Sequence, residues 1–274
     1  MPEGLVSLSH GPLHYRHAPC TRSRAVAVLL HGLLATSFGW RATLAALSTR
    51  CNSFALDLPG LAASAPLPGY RASLARLAGC VAEFWQARGL PRGVLIGSSW
   101  GGAVALETAA RFPHLIDRLV LAAPLNPFFR PNWRQRLLLR PRLARYGAEL
   151  LRRAPRRLYA AGFAAMWSGP RPLPPEMLAG YWRPLRQARL GAVVAGMVAS
   201  WHEDLRALAA RLPAIDVPTL LIWGREDRVV PPDSAPLLRS ALPRADLVWL
   251  PGAGHLSFEE RPEDFNAALL RFLA

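Results

Sequence analysis

The sequence predicts an α/β fold: a mostly parallel central sheet, helices on both faces and one inserted block of helices. Three observations predict it. Short apolar runs alternate with longer helical patterns over residues 1–125 and again over 214–274. The run Ala25–Leu30 is continuously apolar, as a strand buried on both faces must be. Between the two alternating stretches, residues 126–213 keep a helical pattern with no convincing strand.

In chain order, Leu5–Leu8 and Leu13–Tyr15 suit a hairpin, with His10-Gly11-Pro12 turning between them. After the Ala25–Leu30 strand, Ser37 is placed to cap a helix from Trp40 to about Leu47. Ser53–Leu58 reads as a strand closed by Pro59-Gly60, and Ser73–Ala87 as a long helix. Gly93–Ile96 is a strand followed at once by a helix from Trp100 to Phe112, then a strand over Leu119–Ala123. Thr219–Trp223 and Leu247–Leu250 are later strands, separated by a helix near Ser234–Ala241; a last helix covers Pro262–Leu273. Within 126–213, prolines 131, 141, 155, 170, 172 and 184 should cut the chain into short helices. The expected division is therefore a core of 1–125 and 214–274 with a helical insertion at 126–213.

Composition narrows the function classes. With 274 residues and 51% hydrophobic content, the chain can bury one substantial core and is not a disordered protein. No uninterrupted apolar run is long enough for a membrane span, and Met1-Pro2-Glu3-Gly4 does not resemble a secretory signal. The expected location is the cytoplasm. Cys20, Cys51 and Cys80 match no zinc spacing and read as ordinary thiols. All 33 basic residues are arginine, which with the many Ala, Gly and Pro residues points to a GC-rich coding sequence. The net charge of +15 comes with no nucleic-acid-binding motif, so no nucleic-acid partner is expected.

The motif with most chemistry is Gly97-Ser98-Ser99-Trp100-Gly101, set between an expected strand and an expected helix. A turn this tight has no room for side chains at 97 and 101, and it lifts one hydroxyl clear of the sheet. Framing the pattern on Ser98 would need glycine at 96 and 100, where Ile96 and Trp100 stand. Ser99 is the candidate nucleophile. The Trp100 amide, at a helix N-terminus, is aimed at developing negative charge, and the Leu33 amide after His31-Gly32 is the natural second donor. His31 itself reads as structural, fixing that loop.

A serine needs a base. Of seven histidines, His255 follows the last expected strand within Pro251-Gly252-Ala253-Gly254-His255, at the same end of the sheet as Ser99. The acid that orients it must come from Gly224-Arg225-Glu226-Asp227, after the penultimate strand; spacing alone leaves both Glu226 and Asp227 open.

Taken together these pieces resemble the α/β-hydrolase superfamily, whose chain order is Ser, Asp, His. His31-Gly32 with Ser37 and Trp40 resembles its oxyanion loop, and Asp57-Leu58-Pro59-Gly60 with Ser64 resembles its Asp-x-Pro-Gly-x-Gly-x-Ser turn. Gly224-x-x-Asp227-x-x-Val230-Pro231 resembles the acid loop, which selects Asp227, and Gly252-x-Gly254-His255 the histidine loop. The resemblance covers roughly residues 10–125 and 214–274, and places 126–213 where the family carries a variable helical cap. It departs at Leu61-Ala62, where the family has His-Gly, so the local loop path should differ.

The implied reaction is acyl transfer from a small-molecule carboxylic ester to water, through an acyl-enzyme on Ser99, with no metal or organic cofactor. Dehalogenases and epoxide hydrolases of this fold carry aspartate at the nucleophile position, which argues against both. Cleavage of a carbon–carbon bond and perhydrolysis are the alternatives on the same fold; the loop at His31 lacks the Gly-Pro-Gly run of many carbon–carbon hydrolases. A non-catalytic binding protein on this scaffold is disfavoured by retention of all three triad positions.

The insertion raises a separate question. From Arg130 to Arg157 there are ten arginines and one acid, Glu149, interleaved with leucines 137, 138, 139, 143, 150, 151 and 158. Either the leucines cover the active site while the arginines face water, or a basic, leucine-rich surface makes weak contact with an anionic membrane, as in a lipase-like enzyme. The pocket is expected to be apolar in both cases, with Leu33, Leu34, Phe128, Phe129, Phe163, Trp167, Met197 and Leu256 as candidate walls.

Overall fold

A computed structural model of the chain describes residues 1–169 and 173–274; Pro170 and Pro172 lie outside the described residues. The chain opens with a hairpin of β1 (Glu3–Leu8) and β2 (Gly11–Ala18), paired antiparallel with Leu8 opposite Gly11. The turn is Ser9-His10, one step before the expected place, because Gly11 accepts φ +125 and Pro12 already pairs with Ser7 on the outermost strand pair. β3 (Val26–Leu30) is buried along its whole length. A single 3-10 turn, Ser37–Trp40, then leads into α1 (Arg41–Leu47). Its cap is Thr36, whose hydroxyl accepts from the Phe38 amide, and not Ser37, whose amide is taken by Asp57.

β4 (Asn52–Leu56) is followed by α2 (Leu74–Ala87), capped by Ser73, and then by β5 (Gly93–Ser98) and α3 (Trp100–Arg111). β6 (Ile116–Ala122) closes the first half. The middle of the chain forms α4 (Trp133–Leu138), α5 (Pro141–Arg153), α6 (Arg156–Ala164), α7 (Pro175–Trp182), α8 (Leu190–Val198) and α9 (Trp201–Ala209). No strand occurs there among the described residues. Pro141 and Pro175 occupy first-turn positions and Pro155 stands at the start of α6, so these prolines begin helices as well as separating them. β7 (Thr219–Gly224), α10 (Ser234–Ala241), β8 (Ala245–Leu250), α11 (Ser257–Glu260) and α12 (Pro262–Leu273) complete the chain. Short α11 had no counterpart in the sequence reading.

The eight strands form one sheet in the order β1-β2-β4-β3-β5-β6-β7-β8. Every pair from β4 to β8 is parallel; β2 alone runs against the rest, antiparallel to both of its neighbours, β1 and β4. After β3 the chain steps outward to β4, then returns to β5 on the other side. That reversal is a topological switch point at the carboxyl ends of β3 and β5, the place where ligands bind in open α/β sheets. Residues Trp100–Ala109 of α3 are all buried, its small residues Gly101, Gly102, Ala103 and Ala105 letting the helix lie close to the sheet. In the middle block α5 packs on α8, whereas α9 packs on α2 and α3. The Asp204 carboxylate accepts from the Leu74 amide at 3.1 Å, and Arg211 clasps Glu107 at 3.0 and 2.9 Å. No described helix is long and apolar enough to cross a membrane. All three cysteines are unpaired, and burial pushes the Cys80 thiol up to about 11.

One polar cluster fixes the loop after β3. Asp57 accepts from the Ser37 amide at 2.6 Å and from His14 Nδ1 at 2.7 Å. Ser64 accepts from the His14 amide and donates to the Asp57 carbonyl. Burial opposes ionisation of Asp57, yet the His14 hydrogen bond and the Ser37 amide outweigh it and hold the carboxyl below its ordinary value. The same hydrogen bond holds His14 above its ordinary 6.5. At the departure from the family pattern, Ala62 sits at φ +48, a left-handed conformation that glycine adopts without strain.

Two stability tests follow. Left-handed backbone costs a non-glycine residue about 1–2 kcal/mol, more than the extra chain entropy of glycine, about 0.5–1 kcal/mol. Ala62→Gly should therefore raise the unfolding free energy by about 0.5 kcal/mol, read by urea denaturation; a loss of stability would contradict the strain. Asp57→Asn should cost about 3 kcal/mol at pH 5.5, since it leaves buried partners unpaired. The Asp57 contribution is complete above its ordinary 3.8 and is lost as pH falls through its lower folded value. The His14 contribution is complete below 6.5 and is lost as pH rises through its raised folded value. The gap between wild type and variant should thus be widest between those limits and shrink on either side.

Candidate active site

Ser99 stands between β5 and α3 at φ +53 and ψ −119, a sparsely populated conformation for a residue with a side chain. The surrounding backbone over-determines it. The Ser99 amide donates to Ala122 at 3.1 Å, and its carbonyl accepts from Gly102, Ala103 and Leu125. A Cβ at Gly97 would collide with the carbonyl of Gly101, and one at Gly101 with the carbonyls of Leu30 and His31. Ser98 is buried with no hydrogen-bond partner for its hydroxyl among the described residues, whereas Ser99 is half-buried. Glycine spacing and accessibility select the same serine.

The loop after β3 passes directly beside it. A Cβ at Gly32 would lie 3.0 Å from Ser99 Cβ and 3.5 Å from its Oγ. His31 is fully enclosed and its tautomer is fixed, because Nε2 accepts from the Leu58 amide at 3.0 Å while Nδ1 donates to the Gly32 carbonyl at 2.8 Å. Burial lowers its pKa, so it stays neutral and locks the loop against the turn after β4. Among the described residues the Leu33 and Trp100 amides donate to no protein acceptor.

The loops after β7 and β8 supply a buried His–Asp pair. His255 Nδ1 lies 2.8 Å from Asp227 Oδ2, and Asp227 Oδ1 accepts from the Val229 and Val230 amides at 2.8 and 3.0 Å. Both side chains are almost completely buried. With Nδ1 donating to Asp227, the neutral ring carries its lone pair on Nε2. Glu226, the other candidate acid, points elsewhere: it accepts from the Ala253 amide at 3.1 Å and so holds the turn that leads to His255.

A second set of residues steadies that turn and was not singled out from the sequence. The His255 amide donates to the Met166 carbonyl at 2.9 Å, and the Gly254 amide to Glu260 at 2.7 Å. Glu260 also accepts from the Ser168 amide at 2.9 Å and pairs with its hydroxyl, which lies 3.0 Å from the Gly252 carbonyl. Its neighbour Glu259 accepts from Arg41 and from the Tyr181 hydroxyl, each at 2.6 Å. Burial, with the Glu259 charge adding to it, keeps the Tyr181 hydroxyl protonated and therefore a donor. Two adjacent carboxylates on α11 thus tie the histidine turn and α1 to the segment after α6 and to α7. The only sequence signal is an acid pair four and five residues after His255, and its partners Tyr181, Ser168 and Arg41 lie 78, 92 and 218 residues away.

The expected pocket walls separate into two groups. Trp167 follows Met166 against the histidine turn, and its indole N–H, like that of Trp100, is buried without a partner among the described residues. Phe163 packs on Tyr181 with ring centroids 4.6 Å apart, and Leu34 and Leu256 sit on the loops of Leu33 and His255. Phe129 lies elsewhere, lining a cavity of about 840 Å³ with Leu139, Val198 and Trp201 that includes none of Ser99, Asp227 or His255. Phe128 is half-buried on the neighbouring loop, and Met197 is fully enclosed on α8.

Comparison with known proteins fits this geometry. The chain is 32% identical over 257 residues to a pimeloyl-[acyl-carrier protein] methyl ester esterase of Nitrosomonas europaea, covering 91% of this chain and 96% of that one. It is 26% identical over 260 residues to the uncharacterized hydrolase YugF of Bacillus subtilis, covering 95% and 92%. Among solved structures, a membrane phospholipase A described as a bacterial virulence factor superposes with a TM-score of 0.80 at 26% identity, covering 99% of this chain and 85% of that one. The chain is an enzyme, a hydrolase with esterase-like and lipase-like relatives. A family model described as the alpha/beta hydrolase fold matches residues 26–262, and the chain belongs to that family.

Proposed function

We propose that the chain hydrolyses carboxylic esters with apolar acyl or aryl groups, with Ser99 as nucleophile, His255 as general base and Asp227 as the acid that orients the base. The observation that carries this reading is the buried His255–Asp227 pair at 2.8 Å, on the loops after β8 and β7, at the carboxyl edge where Ser99 stands on its strained turn. His255 Nε2 takes the Ser99 proton as Oγ attacks the ester carbonyl. Asp227 Oδ2 stabilises the imidazolium, while its Oδ1 is already occupied by two backbone amides and cannot swing away. The amides of Leu33 and Trp100 receive the oxyanion, with the dipole of α3 behind the second. The alcohol leaves with the proton from His255, and water, deprotonated by the same ring, releases the acid from Ser99.

The methyl ester esterase relative supports an ester as the bond cleaved. Residues 126–213 act in this reading as a helical cap over a core of 1–125 and 214–274, with α9 seated on the core helices. Trp167, Phe163, Leu34 and Leu256 are the apolar walls that this reading assigns to the substrate. Glu260 is a positioning residue: it acts through the Gly254 amide, one residue from the base.

A fluorophosphonate probe should label the wild-type protein and not Ser99→Ala, and p-nitrophenyl butyrate hydrolysis should fall by about 10⁴-fold or more in Ser99→Ala and His255→Ala. Equal labelling of Ser99→Ala would remove the serine from the mechanism. Glu260→Gln should lower kcat by about 10–100-fold with KM little changed, as expected for a misplaced base. A rise in KM alone, or a loss of activity that tracks thermal unfolding, would make Glu260 purely structural.

A further inference from the structure

The helical segment α4–α6 leaves large apolar side chains in water. In α5 the inward face is Ala144 and Ala148, set against α8 where a Cβ at Gly191 would lie 2.8 Å from the Arg145 carbonyl. Of the large apolar side chains of the helix only Leu151 is half-buried against the core; the other three are turned outward. Leu143, Tyr146 and Leu150, spaced three and four apart on one face, are 38%, 68% and 71% exposed. Trp133, Leu137 and Leu138 on α4 and Leu158 on α6 join them, at 71%, 43%, 62% and 61%. Seven of the ten large hydrophobic side chains exposed in the described residues fall in this one segment, so the apolar surface is concentrated and not scattered.

The same segment carries the charge. Nine of its ten arginines are exposed, from Arg130 to Arg157, and Arg152 is half-buried. Its one acid, Glu149, is consumed by Arg152 at 2.9 Å and Arg153 at 3.3 Å. Outward leucines flanked by arginines, with Trp133 and Tyr146 among them, match the two layers of a membrane interface: acyl chains below, anionic headgroups around. A second copy of this chain would bring the same positive surface against it and be repelled. Nucleic acid would engage the arginines but leave the leucine stripe in water.

We propose that the exposed face of α4–α6 docks the protein on an anionic lipid bilayer, with Trp133, Leu138, Leu143, Tyr146 and Leu150 entering the interface and the flanking arginines pairing with headgroups. Docking needs no catalysis, so it stands or falls separately from the ester-hydrolase reading, and Ser99→Ala should dock like the wild type.

The test is flotation of both proteins with vesicles of phosphatidylcholine alone and of phosphatidylcholine with a quarter phosphatidylglycerol. Partitioning should be at least about tenfold stronger on the anionic vesicles and fall severalfold between 50 and 300 mM salt. The variant Leu143→Ser/Tyr146→Ser/Leu150→Ser should lose about tenfold or more of that partitioning, with hydrolysis of soluble p-nitrophenyl butyrate unchanged. Quenching by brominated lipid should drop in Trp133→Phe. Equal weak binding to both vesicle types, or full binding by the triple variant, would overturn the proposal. So would a wild-type dimer in sedimentation velocity that the triple variant converts to monomer, which would make the face a contact between copies.

Discussion

The structure turns on how closely three backbones approach at Ser99. β3 ends, β5 ends and α3 begins within contact distance of one another, and only glycine at 97 and 101 admits that approach. The cost is local: a serine held at φ +53, a conformation worth about 1–3 kcal/mol of strain. The strain persists because strands and helix are themselves immovable. β3 and β5 are buried over every residue, and α3 is buried over its first ten. A parallel sheet covered on both faces is the kind of support that can hold such a turn, and the turn in turn directs a hydroxyl and a helix N-terminus at the same point in space.

Charge is distributed to serve that point. The protein is strongly basic, yet four of its acids gather around His255, Glu226 and Asp227 on the loop after β7 and Glu259 and Glu260 on α11. Each has a separate duty: Asp227 meets the imidazole, Glu226 and Glu260 meet backbone amides of the histidine turn, and Glu259 meets Arg41 and Tyr181. Buried carboxylates are tolerated only with such partners, since each alone would cost several kcal/mol. The arrangement also explains why Glu226 and Asp227 are not interchangeable. One residue apart on a turn, they face different acceptor-hungry groups.

Much of this was legible in the sequence where the signal is local. The strands beside Ser99, the choice of Ser99 over Ser98 and the loops of Asp227 and His255 rest on short spacings that leave the backbone few options. Boundaries were less secure. The first hairpin turns at Ser9-His10 because Gly11 and Pro12 both fit an outer strand, and Thr36 displaces Ser37 as a cap because Asp57 claims the Ser37 amide. The second outcome depends on a partner 20 residues away, outside the local window. Short α11 and the Glu260–Ser168 contact were not legible at all, because a four-residue helix has almost no periodicity and Ser168 comes from the far side of the chain.

The leucines of α5 show a subtler limit. Periodicity reveals that the helix has an apolar stripe, but which stripe faces the protein is decided by how near its neighbour comes. α8 sets Gly191 against the Arg145 carbonyl and the Glu149 side chain of α5; Ala144 and Ala148 are the residues of that helix that are buried, while Leu143 and Leu150 are left outside. Two residues beyond α6, Met166 accepts the His255 amide. The apolar outer surface and the proposed catalytic base are therefore joined through one short, covalently continuous stretch with Ser168 fastened to Glu260. Any displacement of that stretch must either break those hydrogen bonds or move the imidazole.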